Sequence, residues 1–172
     1  AGKIIKGKDF VNNDNDPMDD CGHGTHVAGI IGALTNNGIG VAGANWNTKI
    51  LAIKSLGLMN GGCGGTGAIQ GIYYAADNGA DVINMSLGAD ASYPCTSAYT
   101  NAISYARQRN VTIIVAAGNS NLDASTRPPS NCPGVITVGA TNPLDTRSAY
   151  SNYGSVVAIA APGGNTVSGG AN

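Results

Sequence analysis

The amino-acid sequence predicts an α/β protein, a doubly wound parallel sheet covered by helices on both faces. Three observations carry this. Short apolar runs alternate with stretches of helical periodicity. The runs are nearly continuous in Val, Ile, Leu and Ala, as in strands buried on both faces, rather than alternating apolar with polar. Hydrophobic residues reach 42% and charged residues only 11%, which suits buried sheet and argues against disorder.

The elements follow in order. Residues 3–11 form a strand and residues 12–21 a polar loop. Residues 24–34 form a helix of small and apolar residues, read as buried and ended by Asn36-Asn37-Gly38. Residues 48–56 are an apolar strand, followed by a glycine-rich loop over 57–65. Residues 66–78 place Ile69, Ile72, Tyr73 and Ala76 on one helical face, with Gly79 just past the end. A strand over 81–86, a helix over 97–110 and strands over 111–117, 135–139 and 156–160 complete the pattern. No internal repeat, linker or low-complexity tract interrupts it, and 172 residues are enough to bury one core.

Composition removes several classes of function. A net charge of −1 leaves no basic footprint for nucleic acid. No apolar run is long enough to cross a membrane. The 26 glycines are scattered without period, which excludes collagen. No leader peptide is visible, so a mature or excised chain is expected. The four cysteines, Cys21, Cys63, Cys95 and Cys132, form no Cys-x-x-Cys pair, which disfavours a zinc knuckle or a redox motif. Four cysteines allow three disulfide connectivities.

Chemistry concentrates in Asp20-Cys21-Gly22-His23-Gly24-Thr25-His26-Val27-Ala28-Gly29. Here a histidine stands where a loop turns into a small-residue helix. Gly22 and Gly24 leave its ring uncrowded and the helix backs it, which suits a general base. His26 is expected to be structural and to face the interior. The pair is His-x-x-His with no glutamate between, unlike a zincin helix, so zinc hydrolysis is disfavoured. A second segment, Val115-Ala116-Ala117-Gly118-Asn119-Ser120, ends a buried strand in an asparagine. That puts an amide at the carboxyl end of a parallel sheet, where such folds hold ligands. Read alone, Gly-Asn-Ser is also ordinary turn chemistry.

Together the two segments resemble the subtilases, the subtilisin-like serine proteases, most closely the thermitase-like branch, and the resemblance runs through nearly the whole chain. It implies a secreted serine endopeptidase acting by Ser-His-Asp acyl transfer on peptide or protein substrates, with no nucleic-acid or membrane partner. His23 would be the triad base and Asn119 the oxyanion-hole donor. Ser86, Leu87 and Gly88, with Ala116, Ala117 and Gly118, would line the S1 slot. Gly62, Gly64 and Gly65 resemble the edge that pairs with an extended substrate. The resemblance selects the disulfides Cys21–Cys63 and Cys95–Cys132.

Calcium is the implied cofactor. Asp9, Asn12, Asp14 and Asp16 supply hard oxygens, and Met18, standing where an amide side chain would be expected, offers only its carbonyl. A second loop resembles a tighter site, with Asn37 giving its side chain and Leu34, Ile39 and Val41 their carbonyls. Its other ligands would lie upstream of residue 1.

Two triad parts are not found in the 172 residues: a strand bearing the aspartate, and a Gly-Thr-Ser-Met-Ala segment for the nucleophile. Ser86, Ser120 and Ser151 sit in no nucleophile motif. Residues 1–172 are therefore expected to be a partial subtilase catalytic domain, inactive alone and leaning on the remainder of that domain. The alternative is a catalytically inactive module that binds calcium and peptides.

Overall fold

A computed structural model of the protein describes residues 2–59, 62–89 and 91–165. The elements run β1 (Ile4–Asp9), α1 (His23–Gly32), β2 (Ile50–Lys54), β3 (Gly57–Met59), β4 (Gly62–Gly64), α2 (Ala68–Asp77), β5 (Val82–Met85), α3 (Ser97–Arg107), β6 (Thr112–Ala116), a 3₁₀ turn (Ala124–Thr126), β7 (Ile136–Thr141) and β8 (Val157–Pro162). Every strand and helix expected from the sequence is present, with ends shifted by one to a few residues. All strands outside one hairpin pair in parallel, so the α/β class stands. The chain divides into two compact units, one within Ala1–Ala75 and one within Ala76–Gly170.

In the first unit β1 pairs with β2 in the register Ile4↔Ile50, Ile5↔Leu51, Lys6↔Ala52 and Asp9↔Lys54, with an irregularity between Lys6 and Asp9. Gly7 lies in that irregularity, where an added Cβ would overlap the Ala52 carbonyl. Phe10, just past β1, meets Tyr74 of α2 edge-on at 6.0 Å between ring centroids. The glycine-rich stretch 57–65 is not a loop but an antiparallel hairpin of β3 and β4, its tip residues 60 and 61 lying outside the described residues. Glycine-rich segments of three residues have almost no intrinsic strand signal. Tertiary contacts fix them instead: the Asp20 carboxylate accepts the Leu58 N–H at 2.9 Å, and Cys63 is disulfide-bonded.

The helix α1 departs from expectation. Its apolar sequence predicts burial, yet Gly32 is its only buried residue and Ile30 is 58% exposed. The contact is made through glycine, since a Cβ on Gly32 would stand 2.8 Å from Thr48 Cγ2. A helix apolar all round needs cover on every side. Among the described residues α1 has it on one side only.

The second unit is a four-stranded parallel sheet in the order β5-β6-β7-β8. Its core is Ile113 and Val115 of β6 with Ala102, Ile103 and Ala106 of α3, all fully buried. Thr96 caps α3 by accepting the Tyr99 N–H at 3.4 Å. Asn110, at φ 63°, turns the chain out of the helix, and the Val111 N–H returns to the Ala106 carbonyl at 3.1 Å. β2 pairs only with β1 and β5 only with β6, so each keeps one edge without a strand among the described residues.

Candidate active site

His23 is the first residue of α1, and its side chain is exposed. Gly22 enters the helix in the left-handed region, at φ 87°. The first-turn N–H groups are not left bare. Asp19 Oδ1 accepts from the Cys21 and Gly22 N–H groups, each at 2.9 Å, and Oδ2 accepts from the Thr25 N–H and hydroxyl, each at 2.7 Å. Burial pushes this carboxyl up, but the bonds from Thr25, Cys21 and Gly22 outweigh it and hold the pKa down to about 2. An ionised Asp19 therefore locks the turn that presents His23. The disulfide Cys21–Cys63 is formed, with Cα atoms 5.8 Å apart, and ties this turn to β4. His26 is exposed rather than interior, because the outer side of α1 is uncovered among the described residues. Gly62, Gly64 and Gly65 stand on and just after β4, whose second edge carries no strand among the described residues.

The acidic loop is neutralised mainly by lysine. Asp9 is 1% exposed. Its Oδ1 accepts the Val11 and Asn12 N–H groups at 2.7 and 2.8 Å, and its Oδ2 accepts the Asn12 amide at 2.9 Å and faces Lys54 Nζ at 3.4 Å. Lys54, itself buried, also pairs with Asp20 at 2.7 Å, a bond that raises its pKa above the usual lysine value. Asp14 Oδ1 accepts the Asp16 N–H at 2.9 Å, and Asp16 pairs with Lys6 at 2.8 Å. The Met18 side chain is exposed. Among the described residues no three His, Cys, Asp or Glu side chains converge as a metal cluster. The donor chemistry of Asn12, Asp14 and Asp16 fits a hard cation. Asp9, with all its acceptor positions engaged, does not in this arrangement. In the second loop Asn37 accepts the Ile39 N–H at 3.0 Å, while Leu34, Ile39 and Val41 are exposed.

Asp9 makes the protein acid-sensitive in a defined window. Burial raises its pKa, but the bonds from Asn12, Val11 and Lys54 prevail and lower it from 3.8 to about 2. A depressed carboxylate contributes stability that is present above its unfolded pKa and is lost as pH falls through the folded one. The loss is on the order of 2 kcal/mol between about pH 4 and pH 2. Denaturant midpoints across this range should fall in the wild type and fall less steeply in Asp9→Asn, where Asp19, held equally low, keeps its share of the slope. An unchanged slope in the variant would mean that other carboxylates carry the effect.

The second unit holds a cavity of about 110 Å³ where β5 and β6 end. It gathers the predicted S1 residues in one place: Ser86, Leu87 and Gly88 on one side, Ala116, Ala117 and Gly118 on the other, with Asn119 beside them. Asn119 is exposed. Its loop is stapled by Asn152, a residue that no sequence motif singled out. Asn152, 3% exposed, donates to the Ala117 carbonyl at 2.8 Å and accepts the Ser120 and Leu122 N–H groups, each at 3.0 Å. Gly118 has φ 103°, and a Cβ there would overlap the Asn152 amide. The disulfide Cys95–Cys132, with Cα atoms 5.0 Å apart, completes the implied pairing. The sequence reading also missed Asp19, whose distance from Thr25 hides its capping role, and Arg127, which lines the cavity.

The geometry agrees with the comparisons. The subtilase family matches residues 2–172, and the chain belongs to it. It is 47% identical to a thermophilic serine proteinase of Bacillus sp. (strain AK1), over 97% of this chain and 40% of that protein. It is 43% identical to thermitase of Thermoactinomyces vulgaris, over 95% of this chain and 57% of that protein. The crystal structure of a cold-adapted subtilisin-like serine proteinase superposes with a TM-score of 0.81 at 40% identity, over 94% of this chain and 56% of that one. The chain thus spans about half, or less, of the length of these proteins.

Proposed function

We propose that the protein is a secreted subtilisin-type serine endopeptidase that hydrolyses peptide bonds through an acyl-enzyme. The observation that carries this is the cavity at the ends of β5 and β6, which brings Ser86–Gly88, Ala116–Gly118 and Asn119 together. In this reading His23 takes the nucleophile's proton and returns it to the leaving amine. Asn119 donates its amide to the tetrahedral oxyanion. The free edge of β4 pairs with extended substrate backbone. The serine and the orienting aspartate of the triad come from segments beyond these 172 residues, and the single-sided pairing of β2 and β5 leaves strand edges to receive such segments. Two disulfides and the absence of free cysteines among the described residues support an oxidising, extracellular setting. The full-length protein should cleave peptides and be silenced by serine-directed phosphonates. Homogeneous protein that does neither would leave a peptide-binding role in place of catalysis.

Calcium belongs to the same proposal. A cation held by Asn12, Asp14 and Asp16 must displace Lys6 from Asp16, so calcium and the ammonium compete. A ligand bound to the native state alone adds about 2.7 kcal/mol at a hundredfold excess over its Kd. The full-length protein should melt higher in millimolar calcium than in EDTA, and Lys6→Met should widen the gap. Equal melting temperatures in the two media would remove calcium from this loop.

A further inference from the structure

Arg127, a half-buried residue, carries the one buried side-chain nitrogen or oxygen among the described residues that lacks a hydrogen-bond partner. Its Nε is buried and has no hydrogen-bond partner. Among the described residues the guanidinium makes no ion pair with any carboxylate, although the other close cation–carboxylate contacts are all recorded for Lys6, Lys54 and Arg109. A guanidinium offers five N–H donors in a rigid fork and is always charged. Leaving such a donor buried and unpaired costs free energy, native structures rarely do so, and a ligand that completes it is one explanation.

The place of Arg127 says what that ligand is. It lines the same cavity as Ser86–Gly88, Ala116–Gly118 and Asn119. Its backbone is fixed on both sides: its N–H donates to the Ala124 carbonyl at 3.0 Å, and its carbonyl accepts from the Ser130 hydroxyl and from the Asn131 N–H at 3.2 Å. The next residue, Pro128, is fully buried and accepts the Ala89 N–H at 2.9 Å, joining this segment to the loop after β5. Gly88 keeps the space open, since a Cβ there would meet nothing nearer than the Pro128 carbonyl at 3.8 Å. Leu87, Ala116 and Ala117 are apolar residues of the cavity lining, and Arg127 is the one charged residue in it.

We infer that Arg127 makes this cavity a subsite for an acidic side chain, so that the enzyme prefers peptides with glutamate or aspartate immediately before the bond it cuts. The inference rests on the protease reading above and names its substrate class. The walls take the methylenes, and the guanidinium fork takes the carboxylate, bidentate and charge-assisted. Glutamine has the same shape without the charge, so it isolates the contribution of the ion pair. A hydrogen-bonded charge in such a site is worth about 10–100-fold.

The test uses the full-length protein and two fluorogenic peptides that differ only in Glu or Gln at that position. The expected kcat/KM ratio of Glu to Gln is about 10–100. It should collapse toward 1 in Arg127→Met and recover in part in Arg127→Lys, with melting temperatures recorded to show that the variants fold. A wild-type ratio near 1, or a ratio untouched by a folded Arg127→Met, overturns the assignment. A high wild-type ratio that falls as ionic strength rises supports it even where neither variant folds. If no peptide is cleaved and no phosphonate reacts, the protease reading has failed. The subsite is then read by calorimetry with the same two peptides, where tighter binding of the Glu peptide sustains it and equal affinity overturns it.

Discussion

Replacing His23 by alanine in the full-length protein should lower kcat by about 10⁶ and change KM little, the loss in kcat being that known for the histidine of subtilisin itself. The expectation follows from where the side chain stands. His23 opens α1 behind a left-handed glycine, its ring is exposed, and Asp19 and the Cys21–Cys63 bridge fix the turn that carries it. The only other histidine, His26, lies three residues on, about 60° short of a full helical turn, so it does not present its ring from the same point. No second base is therefore available to accept the serine proton from α1. Hydrolysis of a fluorogenic peptide measures the effect, with His26→Ala as the companion. The rate should fall by the full factor in His23→Ala and by less than tenfold in His26→Ala. A His23→Ala enzyme within tenfold of wild type would remove His23 from the chemistry, whatever its position. Asp19→Ala distinguishes positioning from chemistry: it should lower kcat through a loosened turn, and Asp19→Asn should restore part of it.

The sequence carried the parts of this fold that depend on local pattern. Apolar runs located β2, β5, β6, β7 and β8, and 3.6-residue periodicity located α2 and α3, because the neighbours that bury those faces are implied by the pattern itself. The hairpin of β3 and β4 was not legible, since Gly62 and Gly64 have no side chains to reveal a period and the pairing is held by Asp20 and Cys21 from outside it. The exposure of α1 and of His26 was not legible either. An apolar helix announces that it needs cover, not which of its sides receives it. At the site, the motifs pointed to His23 and Asn119, and the family resemblance implied the slot and the two disulfides that the structure contains. Asn152 and Arg127 escaped for a common reason. Asn152 acts on Ala117 from 35 residues away, and Arg127 meets Ser86–Gly88 only through the fold. Asp9 is the converse case: an acidic residue in an acidic loop reads as a ligand, and only the fold shows that Val11, Asn12 and Lys54 also engage its oxygens.

Replacing Asn119 by leucine should cut kcat by about 10²–10³ and leave KM nearly unchanged, the magnitude known for loss of the oxyanion-hole asparagine in subtilisin. The split between the two constants is the informative part. An amide that binds only the charge developing on the tetrahedral intermediate stabilises the transition state and not the bound peptide, so its loss appears in kcat. The structure supplies the preorganisation this requires. β6 ends at Ala116, Gly118 turns at φ 103°, and Asn152 grips both sides of the turn through Ala117, Ser120 and Leu122. Asn119 thus leaves a held backbone while its own amide stays exposed. Asn152→Ala tests the support separately. It should lower kcat in the same direction and also lower the melting temperature, because it strips a buried carbonyl and two N–H groups of their partners, at about 1–3 kcal/mol for each group left unsatisfied. Asn119→Leu, at an exposed position, should leave melting within a few degrees of wild type. A rise in KM with kcat intact in Asn119→Leu would make the residue a substrate contact. A loss of stability equal to that of Asn152→Ala would make it a structural member of the loop. Only a fall in kcat alone makes it the oxyanion donor.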